Sequence, residues 1–223
     1  MFFSSLKPKL DAEIVQSFVI VWEHLGKPGS WWTGEERIAI ANEIRSCNPK
    51  KLWDKDKPLE SYAKQGDEIL TPYIKAVVRM ISNETASITE DIYREITEEI
   101  GEDKYAELAA LISQVVPIDH LSDALGVQRE TLPEVRLGSP LNERPSGLVN
   151  DVGFLPTFPA DNLPHVAISL SLAQADNARR MLLVRAMYSG ASFGDMIWNH
   201  RHLSRPQIEL VAARTSALNE CFY

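Results

Sequence analysis

Residues 102–126 read "EDKYAELAALISQVVPIDHLSDALG", and this stretch decides the fold class. Its middle is apolar on all sides rather than along one stripe. A helix of that kind is surrounded by other helices, so it reads as the central core helix of an all-α protein. Pro117 lies inside it, and because a proline ring collides with the carbonyl four residues back, a kink is expected beyond Ser113. Asp119 and His120 follow, where a freed carbonyl needs a donor. A structural hydrogen-bonding role is favoured there over catalysis.

The flanking segments carry helix punctuation. Residues 11–25 form a helical pattern closed by Gly26 and Pro28. Thr33 with Glu36 makes a capping box that opens a helix over 33–46. Pro72 leads another over 72–83, with Tyr73, Val77, Met80 and Ile81 on one side. Thr89 caps a helix over 89–100 that Gly101 ends; the acidic residues between Glu84 and Asp103 read as its solvated face. Beyond Gly126 the texture changes: Pro133, Pro140, Pro145, Pro156, Pro159 and Pro164 crowd into residues 131–164. That is a linker or an extended strap across a surface. Helices resume at 174–189, in a short piece near 191–198, and over 204–221, where Ser204 and Gln207 make a second capping box. No two consecutive strand patterns occur.

Composition narrows the function classes. The net charge of −8 disfavours nucleic acid or an anionic membrane as a partner, since both would repel the chain. Two cysteines cannot build a disulfide framework and fit a reducing compartment, and each closes a separate segment, so no bridge between them is expected. No apolar run is long enough to cross a bilayer or serve as a signal peptide, which makes the cytoplasm the default location.

The most informative signal is a likeness between two helices. In "TGEERIAIANEIRSC" Glu35 precedes Cys47 by twelve residues, and in "PQIELVAARTSALNEC" Glu209 precedes Cys221 by the same twelve. This reads as an internal duplication. The final stretch "RPQIELVAARTSALNECFY" resembles the active-site motif of the alkylhydroperoxidase-like and carboxymuconolactone decarboxylase-like superfamily: a Glu, twelve residues to the first Cys of C-x-x-C, then a His. "ALISQVVPIDHLSDALG" and "LPHVAISLSLAQ" also look like segments of two-repeat members. The resemblance implies a helical bundle of two repeats, the first over 1–130, a strap over 131–164, and a second over 165–223 that is incomplete. It also implies self-association, with a dimer expected, and reduction of a hydroperoxide substrate at the expense of a dithiol protein or small thiol, without cofactor or metal.

The departures from that pattern matter equally. The first repeat has Lys50 at the second cysteine position and Asp54 at the histidine position. Ser122 stands where such relatives often carry a His, with His120 two residues earlier. In the second repeat the chain stops one residue before the second cysteine of C-x-x-C. Two explanations are open: a genuine terminus after loss of the motif, or a UGA codon that encodes selenocysteine in the natural protein. The chain as it stands is expected to be weak or inactive.

The candidate site residues are therefore Cys221, Glu209, Cys47, Glu35 and His120. For Cys47, Asn48 and Pro49 could start a short helix whose N-terminus, with Lys50 and Lys51, favours a thiolate. An inert half-buried thiol is the plain alternative for both cysteines. Glu35 and Glu209 could relay protons, or merely complement a helix dipole. Twelve residues of straight helix span roughly 18 Å, so neither Glu reaches its own Cys without a break or a second copy. The five tryptophans read as core and interface residues, and His200 with His202 as too few ligands for a metal. Besides peroxide reduction, two readings are open: a non-catalytic interaction or assembly protein, and a carboxymuconolactone decarboxylase-like enzyme.

Overall fold

The structure, a computed structural model, describes residues 2–47, 53–63, 65–151, 153–189 and 202–221. Eight α-helices lie among them: α1 (Ala12–Leu25), α2 (Gly34–Ser46), α3 (Pro72–Asn83), α4 (Glu90–Ile100), α5 (Glu102–Ala124), α6 (His165–Ile168), α7 (Gln174–Val184) and α8 (Arg205–Leu218). A π-helical turn, Arg185–Ser189, extends α7. Among the described residues there is no strand, only an isolated bridge between Val149 and Thr157. The expected helix near 191–198, Trp198 and His200 lie outside the described residues, as do Asn48, Pro49, Lys50 and Lys51.

The caps form as their residues require. At α2 the Thr33 hydroxyl accepts from the Glu36 amide at 3.2 Å, and the Glu36 carboxylate accepts from the Thr33 amide at 2.8 Å. Two orphan donors of the first turn are thereby satisfied. Thr71 and Thr89 cap α3 and α4 through the amides of Ile74 and Ile92. Gly101, at φ 83°, is the single residue between α4 and α5. A side chain there would be strained, which is why the two helices can meet without a loop.

Helix α5 is the spine. It runs as one helix through Pro117, and it buries Tyr105, Leu108, Leu111, Ile112, Val115 and Ile118. Helices α2, α3, α4 and α7 all pack on it. At one end of the core Phe3 stands edge-on to Trp22 and Phe18, with centroids 5.3 and 5.5 Å apart. Trp22 and Trp32 are fully buried, and their indole N–H groups donate to the carbonyls of Thr131 and Lys104.

The proline-rich stretch is a strap over the α1–α2 connection. The amides of Arg136, Leu141 and Asn142 donate to the carbonyls of Gly26, Gly29 and Ser30 at 2.7, 3.1 and 2.8 Å. Those bonds draw the two backbones so close that a Cβ on Gly26 would lie 2.3 Å from the Glu134 carbonyl oxygen. Helix α7 then packs on α1 and α5. Helix α8 differs from all of these: it has no buried residue.

Candidate functional site

Two of the five candidate residues meet. Cys47, at the C-terminal end of α2, and His120, late in α5, line one cavity of about 300 Å³ together with Arg45, Ser82 and Asp119. Asp119 is buried and gripped by Arg45 through two bonds, Nε to Oδ2 at 2.8 Å and Nη2 to Oδ1 at 2.7 Å. Its role is structural: it ties α2 to α5. His120 is exposed.

Of the two readings open for Cys47, the half-buried thiol is the one its described surroundings fit. Its Sγ donates to the Glu43 carbonyl oxygen at 3.1 Å. Burial, followed by the negative charge of Glu43, pushes the thiol up to about 11, against the opposing pull of Arg79 and a hydrogen bond from Asn83. A thiol held that high is protonated near neutrality and is a poor nucleophile. The physical reason is that Cys47, at the C-terminal end of α2, is half-buried beside Glu43; Asn48, Pro49, Lys50 and Lys51, on which the thiolate reading rests, lie outside the described residues.

Glu35 stands exposed in the first turn of α2 and lines a different groove, beside Lys75 and Asp67. Glu209 lies on α8, 3.7 Å from Arg205 on the same helix face. Cys221 is exposed one turn past the end of α8, its amide donating to the Ser216 carbonyl at 2.9 Å. Neither cysteine is in a disulfide.

The densest polar chemistry involves residues that motif reading missed. Arg37, Glu107 and Asp176, on α2, α5 and α7, are 1%, 0% and 0% exposed. Arg37 holds Asp176 through two parallel bonds, Nη1 to Oδ2 at 2.9 Å and Nη2 to Oδ1 at 3.0 Å, and Nη1 also pairs with Glu107. Glu107 accepts further bonds from the amides of Trp31 and Trp32, and Arg179 reaches Asp176 at 3.2 Å. Burial disfavours all three charges. The bidentate Arg37 nonetheless outweighs it at Asp176, whose carboxyl ends below its ordinary value. At Glu107 burial wins, helped by the charge of Asp176, and that carboxyl is raised. The members spend their bonding capacity on one another and on backbone, as a structural tie does.

The sequence did hold a signal for this cluster. Arg37 stands at core spacing with Ile40, Ala41 and Ile44, so a charge sits on the buried face and requires a buried partner.

Among the described residues no group of three or more His, Cys, Asp or Glu side chains could hold a metal ion, and no helix is long and apolar enough to cross a membrane. The fold and site define an all-α protein with a buried ionic tie and two unlike cysteines. No family model, curated protein or solved structure matches the chain.

Proposed function

We propose that this is an alkylhydroperoxidase-like protein, with chemistry that consists of thiol-dependent reduction of hydroperoxides at Cys221. One observation carries the choice of residue: Cys221 is exposed, while Cys47 is half-buried with its thiol pushed up to about 11. The Cys221 thiolate attacks one peroxide oxygen, the O–O bond breaks, and the alcohol leaves with a proton, giving a sulfenic acid. A dithiol protein or small thiol then condenses with the sulfenic acid, releasing water, and a second thiol frees Cys221. Glu209 is the acid–base group of the motif. Twelve residues separate it from Cys221, which lies past the end of α8, and a second copy in a dimer is the source of the Glu–thiol contact in this reading.

Peroxide consumption by the full chain with a dithiol reductant tests this reading. Slow turnover that disappears in Cys221→Ser and persists in Cys47→Ser is expected. Equal turnover in Cys221→Ser refutes it.

A second reading has its own support. Leu210, Val211 and Leu218 of α8 are 72%, 61% and 66% exposed, an apolar surface suited to self-association. With no turnover and a dimer by light scattering, the chain is an assembly protein on the same fold.

A further inference from the structure

A second cavity of about 300 Å³ lies beside the N-terminal half of α5, with Tyr105 and Ala109 in its lining. The strap supplies one wall through Gly153, Phe154, Leu155 and Thr157. Helix α6 and the turn after it supply the other through His165, Ile168 and Ser169. We propose that this cavity is a preformed binding site for a small, neutral, largely apolar molecule, with an aromatic or branched body and one hydrogen-bonding end.

Three observations carry it. The walls are built rather than incidental. Thr157 is pinned by paired bonds to Val149 at 2.8 and 2.9 Å. Ser171 joins wall to wall, its Oγ accepting from the Phe158 amide at 3.0 Å and donating to the Ile168 carbonyl at 2.6 Å. Phe154, at the rim, is stacked on Tyr93 with centroids 5.1 Å apart.

Helix α6 has only four residues, too few to hold itself together. Two buried polar side chains of α7 hold it instead: Asn177 donates to the Ala167 carbonyl at 2.7 Å, and Arg180 donates to the Val166 carbonyl. Burying an arginine and an asparagine to fix one turn of helix is costly unless that turn has a task, and forming the cavity wall is the task it has.

The lining sets the ligand class. Among the described residues no Asp, Glu, Lys or Arg side chain lines the cavity, and His165 and Tyr105 are its titratable groups, so no permanent charge is there to balance an ionic ligand. The size sits at the lower end of small-molecule sites, which suits roughly ten to fifteen non-hydrogen atoms. Thr157 offers a hydroxyl group for one polar end, while the Ser169 hydroxyl is engaged with the Val166 carbonyl and Arg180.

The test uses the full chain and two probes of one size, neutral 1-naphthol and anionic 1-naphthalenesulfonate, titrated by fluorescence or ligand-observed NMR. Saturable 1-naphthol binding with a dissociation constant on the order of 0.1 mM is expected, with the sulfonate at least about tenfold weaker. Ala109→Phe, which fills the floor, should weaken 1-naphthol by about tenfold or more at an unchanged helical circular-dichroism signal. Should that variant fail to fold, Leu155→Trp fills the cavity from the opposite wall. No saturation below about 2 mM, equal binding of both probes, or undiminished binding in the filled variant overturns the proposal.

Discussion

Helices α2 and α8 start from nearly the same local instructions and come to opposite ends. Each opens on a capping box, and each carries a Glu twelve residues before a Cys. Aligned on their cysteines, however, buried Ile40 and Ala41 of α2 stand against Arg214 and Thr215 of α8. The caps are also out of step: Thr33 lies fourteen residues before its Cys, and Ser204 seventeen before its own. Caps and motif spacing are local and suffice to start a helix. The face pattern decides where the helix goes, and only α2 repeats core residues at 37, 40, 41 and 44. The thiols follow their helices: Cys47 goes into the body and Cys221 into solvent.

The comparison breaks most readily at Arg37. Arg37→Ala leaves Glu107 and Asp176 buried without their counter-charge and should cost about 3–5 kcal/mol. Val211→Ala, the matching position on α8, should stay within about 0.5 kcal/mol. Urea unfolding of the two variants measures both, and near-equal shifts would mean that the two helices are not differently placed. One step down, Ile40→Ala should cost about 2–5 kcal/mol, whereas Arg214→Ala changes the midpoint by no more than about 0.5 kcal/mol.

A pH series sharpens the contrast between the thiols. The folded Cys47 thiol, raised to about 11 by burial and Glu43, lies above the unfolded value of about 8.5. Its contribution to stability is therefore fully present below about pH 8.5 and is lost as pH rises through 11. Cys47→Ala should lessen the alkaline fall of the melting temperature in that window. Tyr105, raised by burial to about 12, and Tyr62, Tyr73 and Tyr93, raised chiefly by burial as well, keep the remainder. An unchanged alkaline limb in Cys47→Ala would show that the thiol titrates freely. The smallest effect is at the caps. Thr33→Ala should lower global stability by about 1 kcal/mol. Ser204→Ala should reduce hydrogen-exchange protection in α8 and leave the global midpoint alone.

Much of the fold was legible because its signals are local. Thr33, Thr71 and Thr89 start helices where their own side chains accept from first-turn amides, and Ser204 does so by donating its amide back to Gln207 Oε1. The all-apolar middle of α5 announced a helix with neighbours on every side. The prolines of 131–164 argued against regular structure, and residues 136–142 pair with the α1–α2 connection instead. What stayed hidden depends on elements far apart in sequence. Nothing near Asp176 marks it as the partner of Arg37, 139 residues away. The meeting of Cys47 with His120 requires the ends of α2 and α5 to converge. At Cys47 the sequence left both a thiolate and a half-buried thiol open, and burial beside Glu43, a tertiary outcome, favours the second. Finally, the apolar residues of α8 fall at mixed spacings, a weaker statement about burial than their number suggests.

The proposed peroxide chemistry belongs to Cys221, just past α8, and not to Cys47 at the end of α2. Brief exposure of the native chain to a stoichiometric hydroperoxide, with a dimedone-type trap and peptide mass spectrometry, reads the sulfenic acid at each cysteine. An adduct at Cys221 is expected, with Cys47 left as the free thiol. An adduct formed first at Cys47 would contradict it.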